Sequence, residues 1–94
     1  MTSILVGGDI YPSGNIINDF AKGKVSEIFH DLLKDIEAAD ISIVNLESPL
    51  ISKETPILKV GPVLGSAVDS INGLYAAKWK VINLANNHIN DHGA

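Results

Sequence analysis

The chain has 94 residues, with eleven carboxylates against seven lysines, no arginine and a formal net charge of −4. That length corresponds to one small domain. Binding to a phosphate backbone needs a basic patch, so this charge balance excludes nucleic acid from the expected partners. The chain contains no cysteine, so neither a disulfide framework nor a thiolate metal site is available.

The start of the sequence, MTSILVGGD, has neither the basic region nor the long apolar region of a signal peptide. No segment approaches the roughly 20 apolar residues that span a bilayer. The sequence as written therefore predicts a chain without a membrane segment and with a cytoplasmic location.

The first two predicted elements are a short strand and a helix. Residues 3–6 form an apolar run typical of a buried strand, which we expect to end at Gly7, Gly8 and Asp9. The stretch YPSGN that follows has the composition of a turn. Between residues 24 and 39, apolar side chains recur at the spacing of one face of an amphipathic helix: Val25, Ile28, Phe29, Leu32, Leu33 and Ile36.

The second half of the chain predicts strand, loop, helix and strand. Residues 41–47, ISIVNLE, suit a strand buried on both faces. Residues 48–65 are rich in proline and glycine and predict a long loop, with a short strand at 57–60 as an option. Ser66 resembles the N-cap of a second helix that extends through Tyr75, and residues 81–84 predict the last strand.

The predicted order β-α-β-α-β indicates an α/β fold with a parallel sheet. Ligands of such sheets bind beyond the carboxyl ends of the strands. The polar residues that follow the three predicted strands should therefore converge at one edge: Asp9, Asn45, Glu47, Asn86, Asn87 and His88.

This mixture of oxygen and nitrogen atoms suits divalent Mn, Fe, Zn or Mg. Two such ions would polarise a phosphoryl group and supply a hydroxide nucleophile. His88 would donate a hydrogen bond to the reacting oxygen or act as general acid.

Structural alternatives stay open for the same side chains. Asp9 would then be a turn residue or a helix cap, and Glu47 a solvated loop carboxylate. Asn86 and Asn87 would be turn formers, with His88 as a cap for the segment that follows. Asp91 and His92 fit helix caps better than metal ligands. His30 lies outside the apolar stripe of its helix, so we expect it on the surface. The coincidence of three polar clusters after three strands favours a functional site.

Three segments resemble the capsule-synthesis CapA family, also called the PgsA type of poly-γ-glutamate synthesis protein. They are VGGDI near the start, ADISIVNLESPL at 39–50 and VINLANNHINDHG at 81–93, in the family's order and across essentially the whole chain. The family is a branch of the calcineurin-like metallophosphatase superfamily. The resemblance implies a two-sheet α/β sandwich, with the 94 residues as the N-terminal part of a single domain.

The resemblance also implies roles for individual residues. The metal ligands that it implies are Asp9, Asn45, Glu47 and Asn87. His88 would contact the scissile phosphate, and Asp91 matches a position with a structural role. Tyr11 stands where many metallophosphatases have a histidine.

The resemblance has limits that bear on activity and location. The superfamily supplies further histidines from a C-terminal half, and this sequence ends at Ala94. We therefore expect the 94 residues alone not to turn over substrate. Many relatives are membrane-anchored and face outward, whereas this sequence shows no anchor.

The leading hypothesis is a CapA-like protein of capsule or poly-γ-glutamate biosynthesis with a divalent-metal phosphoesterase site. Its substrate would be a phosphorylated or polyanionic small molecule or polymer. The alternative is a non-catalytic binding or assembly module of a polymer synthesis or export complex. A third possibility is a homo-oligomer that forms through an exposed sheet edge.

Overall fold

The computed structural model describes residues 2–59 and 61–93. In chain order its elements are β1 (Ile4–Ile10), α1 (Ile17–Ala21), α2 (Val25–Phe29), α3 (Leu32–Ala38), β2 (Ile41–Leu46), β3 (Leu50–Ile51), β4 (Ser66–Ala67), α4 (Ile71–Ala76) and β5 (Val81–Asn83). Short 3₁₀ turns precede α1 and α4, at Gly14–Ile16 and Val68–Ser70. Within this part of the chain, no helix has the length and apolar character needed to cross a membrane.

The main sheet contains the three predicted strands. Strand β2 lies at its centre and pairs in parallel with β1 on one side and β5 on the other. The predicted parallel β-α-β-α-β arrangement is confirmed. The carboxyl ends of the three strands therefore meet at one edge, as the site hypothesis requires.

Strand β1 is longer than predicted and contains a β-bulge. Val6 pairs with Ile43 and Asp9 pairs with Asn45, so Gly7 and Gly8 together oppose one residue of β2. Regular alternation from Val6 would place Asp9 on the opposite face of the sheet from Asn45. The extra residue of the bulge puts Asp9 and Asn45 on the same face.

The helices cover one face of this sheet and form the hydrophobic core with it. The buried core side chains are Phe20, Ile36, Val44, Leu46, Leu74, Ala77 and Trp79. Phe29 packs edge-on between Phe20 and Trp79, with ring centroids 6.1 and 6.0 Å away. Such perpendicular aromatic pairs add to the stabilisation that burial provides.

The other face of the sheet is apolar and exposed. Ile4 and Val6 of β1 keep 64% and 71% of their surface, and Ile41 and Val81 are also exposed. Parallel sheets are normally covered on both faces. The same face becomes polar toward the carboxyl ends of the strands, where Asp9 and Asn45 follow the aliphatic residues.

The prediction of one continuous helix over residues 24–39 is wrong. The chain forms α2 and α3, separated at His30, whose φ of 51° is incompatible with a continuous α-helix. Residues of both helices pack against the core, as the apolar period predicted. Leu32 is the exception, because 42% of its surface is exposed. His30 is exposed, as predicted.

The region between β2 and α4 also differs from the prediction. A second, two-stranded parallel sheet joins β3 to β4. Ser66 lies in β4 and caps no helix, because its hydroxyl donates to the Pro12 carbonyl at 2.7 Å and contacts the Ser48 hydroxyl at 2.6 Å. Residues 57–59 form no strand, and Val60 lies outside the described residues.

Helix α1 was not predicted, and it packs closely against α4. An added Cβ at Gly73 would lie 2.6 Å from Phe20 Cδ1 and 2.9 Å from Phe20 Cα. Backbone cannot move aside as readily as a flexible side chain, so only glycine fits at this crossing.

We therefore expect Gly73→Ala to destabilise the fold. Alanine gains about 1 kcal/mol over glycine in a helix, but overpacking against a core backbone costs about 1–3 kcal/mol or more. Urea unfolding should show a net loss of about 1 kcal/mol. Gly8→Ala is the matched control, since its Cβ meets nothing within 4 Å; an equal loss there would contradict the packing argument.

Candidate metal centre

The polar edge of the main sheet begins with a ladder of three side chains. Asn45 Nδ2 donates to Asp9 Oδ1 at 2.8 Å, and Asn83 Nδ2 donates to Asn45 Oδ1 at 2.9 Å. These residues are register partners on β1, β2 and β5. Asp9 and Asn45 thus lie within the strands, near their carboxyl ends, and not after them as predicted. Asn83 was missed because it lies in an apolar run typical of a strand.

Asn86 connects this ladder to His88. Its Nδ2 lies 3.1 Å from Asn45 Oδ1 and donates to the Leu46 carbonyl at 2.8 Å. Its Oδ1 accepts the backbone N–H of His88 at 3.0 Å. Asn86 therefore fixes the turn after β5 against the end of β2, which explains why an amide is needed at this position.

Glu47 lies next to the His88 ring. Its backbone N–H donates to the Ile10 carbonyl at 2.9 Å, which continues the β1–β2 pairing past Leu46. Glu47 Oε1 is 3.8 Å from His88 Nε2, beyond direct hydrogen-bond distance. The Glu47 side chain is about one-third exposed (32%), whereas His88 is buried.

Asp91 is the most buried charged residue in this region, with 1% of its surface exposed. Its Oδ2 accepts a hydrogen bond from the Leu64 N–H at 2.6 Å and shares a hydrogen bond with His88 Nδ1 at 2.7 Å. Lys59 Nζ forms an ion pair with Oδ1 at 2.8 Å. Burial raises the pKa of the Asp91 carboxyl, but the hydrogen bonds from Leu64, Lys59 and His88 outweigh it and hold the pKa well below its usual range.

The loop that carries Lys59 is tied to the end of the chain by further hydrogen bonds. Thr55 N donates to His92 Nδ1 at 2.9 Å, and its hydroxyl donates to the His92 carbonyl. The Ile57 N–H donates to the Asp91 carbonyl at 2.8 Å. Asp91 and His92 lie in turns and cap no helix, so the capping interpretation is replaced by this loop attachment.

The structure joins three of the five predicted site residues by hydrogen bonds and places a fourth close to them. Asp9 and Asn45 are in direct contact, and Asn86 links them to the backbone of His88. The Glu47 carboxylate lies 3.8 Å from the His88 ring without a hydrogen bond to it. Asn87 is exposed, and no side-chain hydrogen bond joins it to the described residues. In the same part of the chain, no three His, Asp or Glu side chains form a metal-binding group.

The available atoms fit a hard divalent ion held through few protein oxygens. The carboxylates of Asp9 and Glu47 retain free lone pairs. Asn45 Oδ1 already accepts two amide donors, so its use as a ligand requires the amide to exchange partners. Ions such as Mg²⁺ often bind through one or two carboxylates and keep several waters.

A groove of about 660 Å³ is lined mainly by apolar side chains. Leu46 and Ile82 contribute to its walls from the face of the main sheet that packs on the core, opposite the face of Asp9 and Asn45. Lys53 and His92 lie at the same groove and add polar atoms. The volume is within the range of small-molecule sites in proteins.

Comparison with known protein families identifies the family of this chain. Residues 3–94 match the family model described as bacterial capsule synthesis protein PGA_cap. The chain belongs to this family. No curated protein matches the chain. Membership of the capsule synthesis family confirms the resemblance seen in the motifs around Asp9, Asn45 and His88.

The Asp91 network predicts an acid-sensitive stability. Because the folded-state pKa is lowered, ionised Asp91 stabilises the fold fully above about pH 4, the ordinary range of an aspartate. This stabilisation falls as pH drops further. We expect Asp91→Asn to lower the free energy of unfolding at neutral pH, with a smaller difference from wild type at acidic pH.

Urea unfolding of wild type and Asp91→Asn, carried out from neutral to acidic pH, measures this difference in the free energy of unfolding. Asp35→Asn, at an exposed helix residue, is the control and should change stability by no more than about 0.5 kcal/mol. A deficit of Asp91→Asn that stays constant with pH would contradict the role of the Asp91 charge.

Proposed function

We propose that this capsule synthesis protein has a divalent-metal site of the phosphoesterase type at the polar edge of its main sheet. The observation that carries the proposal is the hydrogen-bonded path from Asp9 through Asn45 and Asn86 to the backbone of His88, whose ring lies 3.8 Å from the Glu47 carboxylate. The path and this approach bring together two carboxylates and an imidazole that are far apart in sequence. Simple turn or capping roles would not require these side chains to lie in one neighbourhood.

Asp9 and Glu47 would hold the ion through their carboxylates. The exposed amide of Asn87 and, after an exchange of hydrogen-bond partner, that of Asn45 would supply further oxygens. A bound divalent ion supplies Lewis-acid polarisation of a phosphoryl oxygen. Asn86 keeps His88 at the same edge, where its ring meets an incoming phosphoryl group.

The chemical class that fits this edge is a phosphorylated or polyanionic ligand of polymer biosynthesis. Cationic residues near the edge are few, because Lys59 is committed to Asp91 and the chain has no arginine. A bound metal would therefore provide the main positive charge for an anionic ligand. Poly-γ-glutamate or its precursors are the polymer class that the resemblance implies.

A non-catalytic binding or assembly module is the second candidate. It is favoured by one observation, namely that no three acidic or histidine side chains converge among residues 2–59 and 61–93. In that case the hydrogen-bonded edge would serve only to hold the sheet and the C-terminal turn together. Metal and phosphate binding distinguish the two candidates.

The first test is a calorimetric titration of the chain with Mn²⁺. We expect saturable binding that is lost in Asp9→Asn and in Glu47→Gln, because each removes a carboxylate charge from the site. Glu54→Gln, at an exposed loop residue, is the matched control and should bind as wild type does. Mn²⁺ binding that is unchanged in both site variants would contradict the ligand assignment.

The second test adds inorganic phosphate to the chain in the presence of Mg²⁺. We expect phosphate to bind only with the metal, and His88→Ala to weaken its binding by roughly 10-fold or more, since a hydrogen bond to a charged group contributes about 1.5–3 kcal/mol. His30→Ala is the control because His30 is exposed and remote in sequence. If the wild-type chain binds no phosphate in the presence of Mg²⁺, the result would favour the non-catalytic module.

A further inference from the structure

The groove of about 660 Å³ combines apolar walls with a polar patch. Its walls are formed by aliphatic side chains of β2, α4, β5 and the turn that follows, among them Leu46, Ile71, Ile82, Leu84 and Ile89. Its polar patch is formed by side chains of two short segments, namely Ser52, Lys53, Thr55, Asn90 and His92. The Thr55 N–H donates to His92 Nδ1 at 2.9 Å, so the two segments lie side by side. The lining is therefore amphipathic.

Lys53 supplies the positive charge of this groove. The described residues that line it include no aspartate or glutamate, although the whole chain has a net charge of −4. Glu54 and Asp91 are neighbours of lining residues in sequence but do not line the groove, and Asp91 is already paired with Lys59. Within the described part of the chain, Lys53 forms no ion pair. The groove thus presents a positive charge beside apolar walls.

The apolar walls are partly open to solvent. Ile71 and Leu84 line the groove, yet 42% and 49% of their surfaces are exposed. Single exposed apolar residues are normal on a protein surface, whereas their convergence on one concave site is typical of ligand-binding grooves. A ligand with a hydrocarbon portion would remove this surface from water, which is favourable.

We propose that this groove binds a single-chain alkyl carboxylate. The hydrocarbon chain lies along Leu46, Ile82 and Leu84, and the carboxylate is held at Lys53. The class of ligand follows from the lining, because the walls match a hydrocarbon and the cation matches one anionic group at its end. An extended peptide fits less well, since its backbone N–H and C=O groups would lie unsatisfied against the apolar walls.

This site is separate from the candidate metal centre. Leu46 and Ile82 belong to the core-packed face of the main sheet, opposite Asp9 and Asn45. Binding of the alkyl carboxylate therefore needs no metal, and the proposal goes beyond the proposed function without resting on it.

NMR of the ¹⁵N-labelled, metal-free chain titrated with decanoate, below the concentration at which decanoate forms micelles, locates the ligand. The exposed apolar face of the main sheet is the competing surface for a hydrocarbon. We expect saturable shifts of the amide signals of Lys53, Leu84 and Ile89, and none at Ile4 and Val6. Shifts confined to Ile4 and Val6, or no saturable shifts, would overturn the proposal.

Calorimetry separates the contributions of the hydrocarbon and the charge. Affinity should rise by up to about fourfold for each methylene added from hexanoate to decanoate. Lys53→Gln should weaken decanoate binding by about two- to fivefold, as expected for an exposed ion pair, and leave binding of decanol unchanged. Lys34→Gln, at an exposed residue of α3, is the matched control. Equal affinity of wild type and Lys53→Gln for decanoate would overturn the assignment of the carboxylate to Lys53.

Leu84→Ser tests the apolar wall. It should weaken decanoate binding by roughly fivefold, whereas Leu58→Ser should not, because Leu58 is fully exposed and does not line the groove. Light scattering of the same variants tests for a different occupant. A concentration-dependent dimer that Leu84→Ser converts to a monomer, without decanoate binding in the wild type, would assign the groove to a second copy of the chain and overturn the proposal.

Discussion

Parallel pairing of one central strand is the constraint on which the rest of the structure depends. Strand β2 contacts β1 and β5 through their backbones, and this pairing sets Asp9, Asn45 and Asn83 side by side. Regular alternation along β1 would have turned Asp9 toward the helices. The bulge at Gly7 and Gly8 places Asp9 on the same face as Asn45 instead. The register of the strands thus determines which polar side chains are adjacent at the carboxyl edge of the sheet.

Partly or fully buried polar residues also hold the candidate site in place. Asn86 fixes the turn after β5 through the Leu46 carbonyl, and Asp91 fixes the ring of His88. Buried polar groups stabilise a unique arrangement only when their hydrogen bonds are satisfied. Asp91 meets this condition through Lys59, Leu64 and His88, which makes the histidine orientation a property of the fold rather than of a flexible side chain.

The sequence predicted the strands because their apolar runs and their turns have strong local patterns. It also predicted that Asp9 and Asn45 lie together, since parallel strands bring their carboxyl ends to one edge. The break at His30 could not be predicted from the same evidence, because the apolar period continues through both helices while one residue adopts a positive φ.

The contacts of Asp91 were beyond sequence analysis for a different reason. Lys59 is 32 residues away from Asp91, in a loop without periodicity. The sequence of such a loop does not indicate whether its lysine is solvated or forms an ion pair. The pairing of β3 with β4 was missed likewise, because two-residue strands are too short to show alternation. The family resemblance gave Asp91 a structural role without naming its contacts, which only the three-dimensional structure defines.

The attachment of the 52–65 loop to the last turn has a consequence for the order of folding events. Its hydrogen bonds join residues separated by 27 positions at Leu64 and Asp91 and by 37 at Thr55 and His92. Contacts of such long sequence separation form slowly, because the intervening chain must lose its entropy before they stabilise anything. The strand pairings of the main sheet span similar distances along the chain, with 36 positions between Asp9 and Asn45 and 38 between Asn45 and Asn83. We therefore expect the sheet edge and the loop attachment to form in the same slow step, and the orientation of His88 to be complete only when the loop has docked.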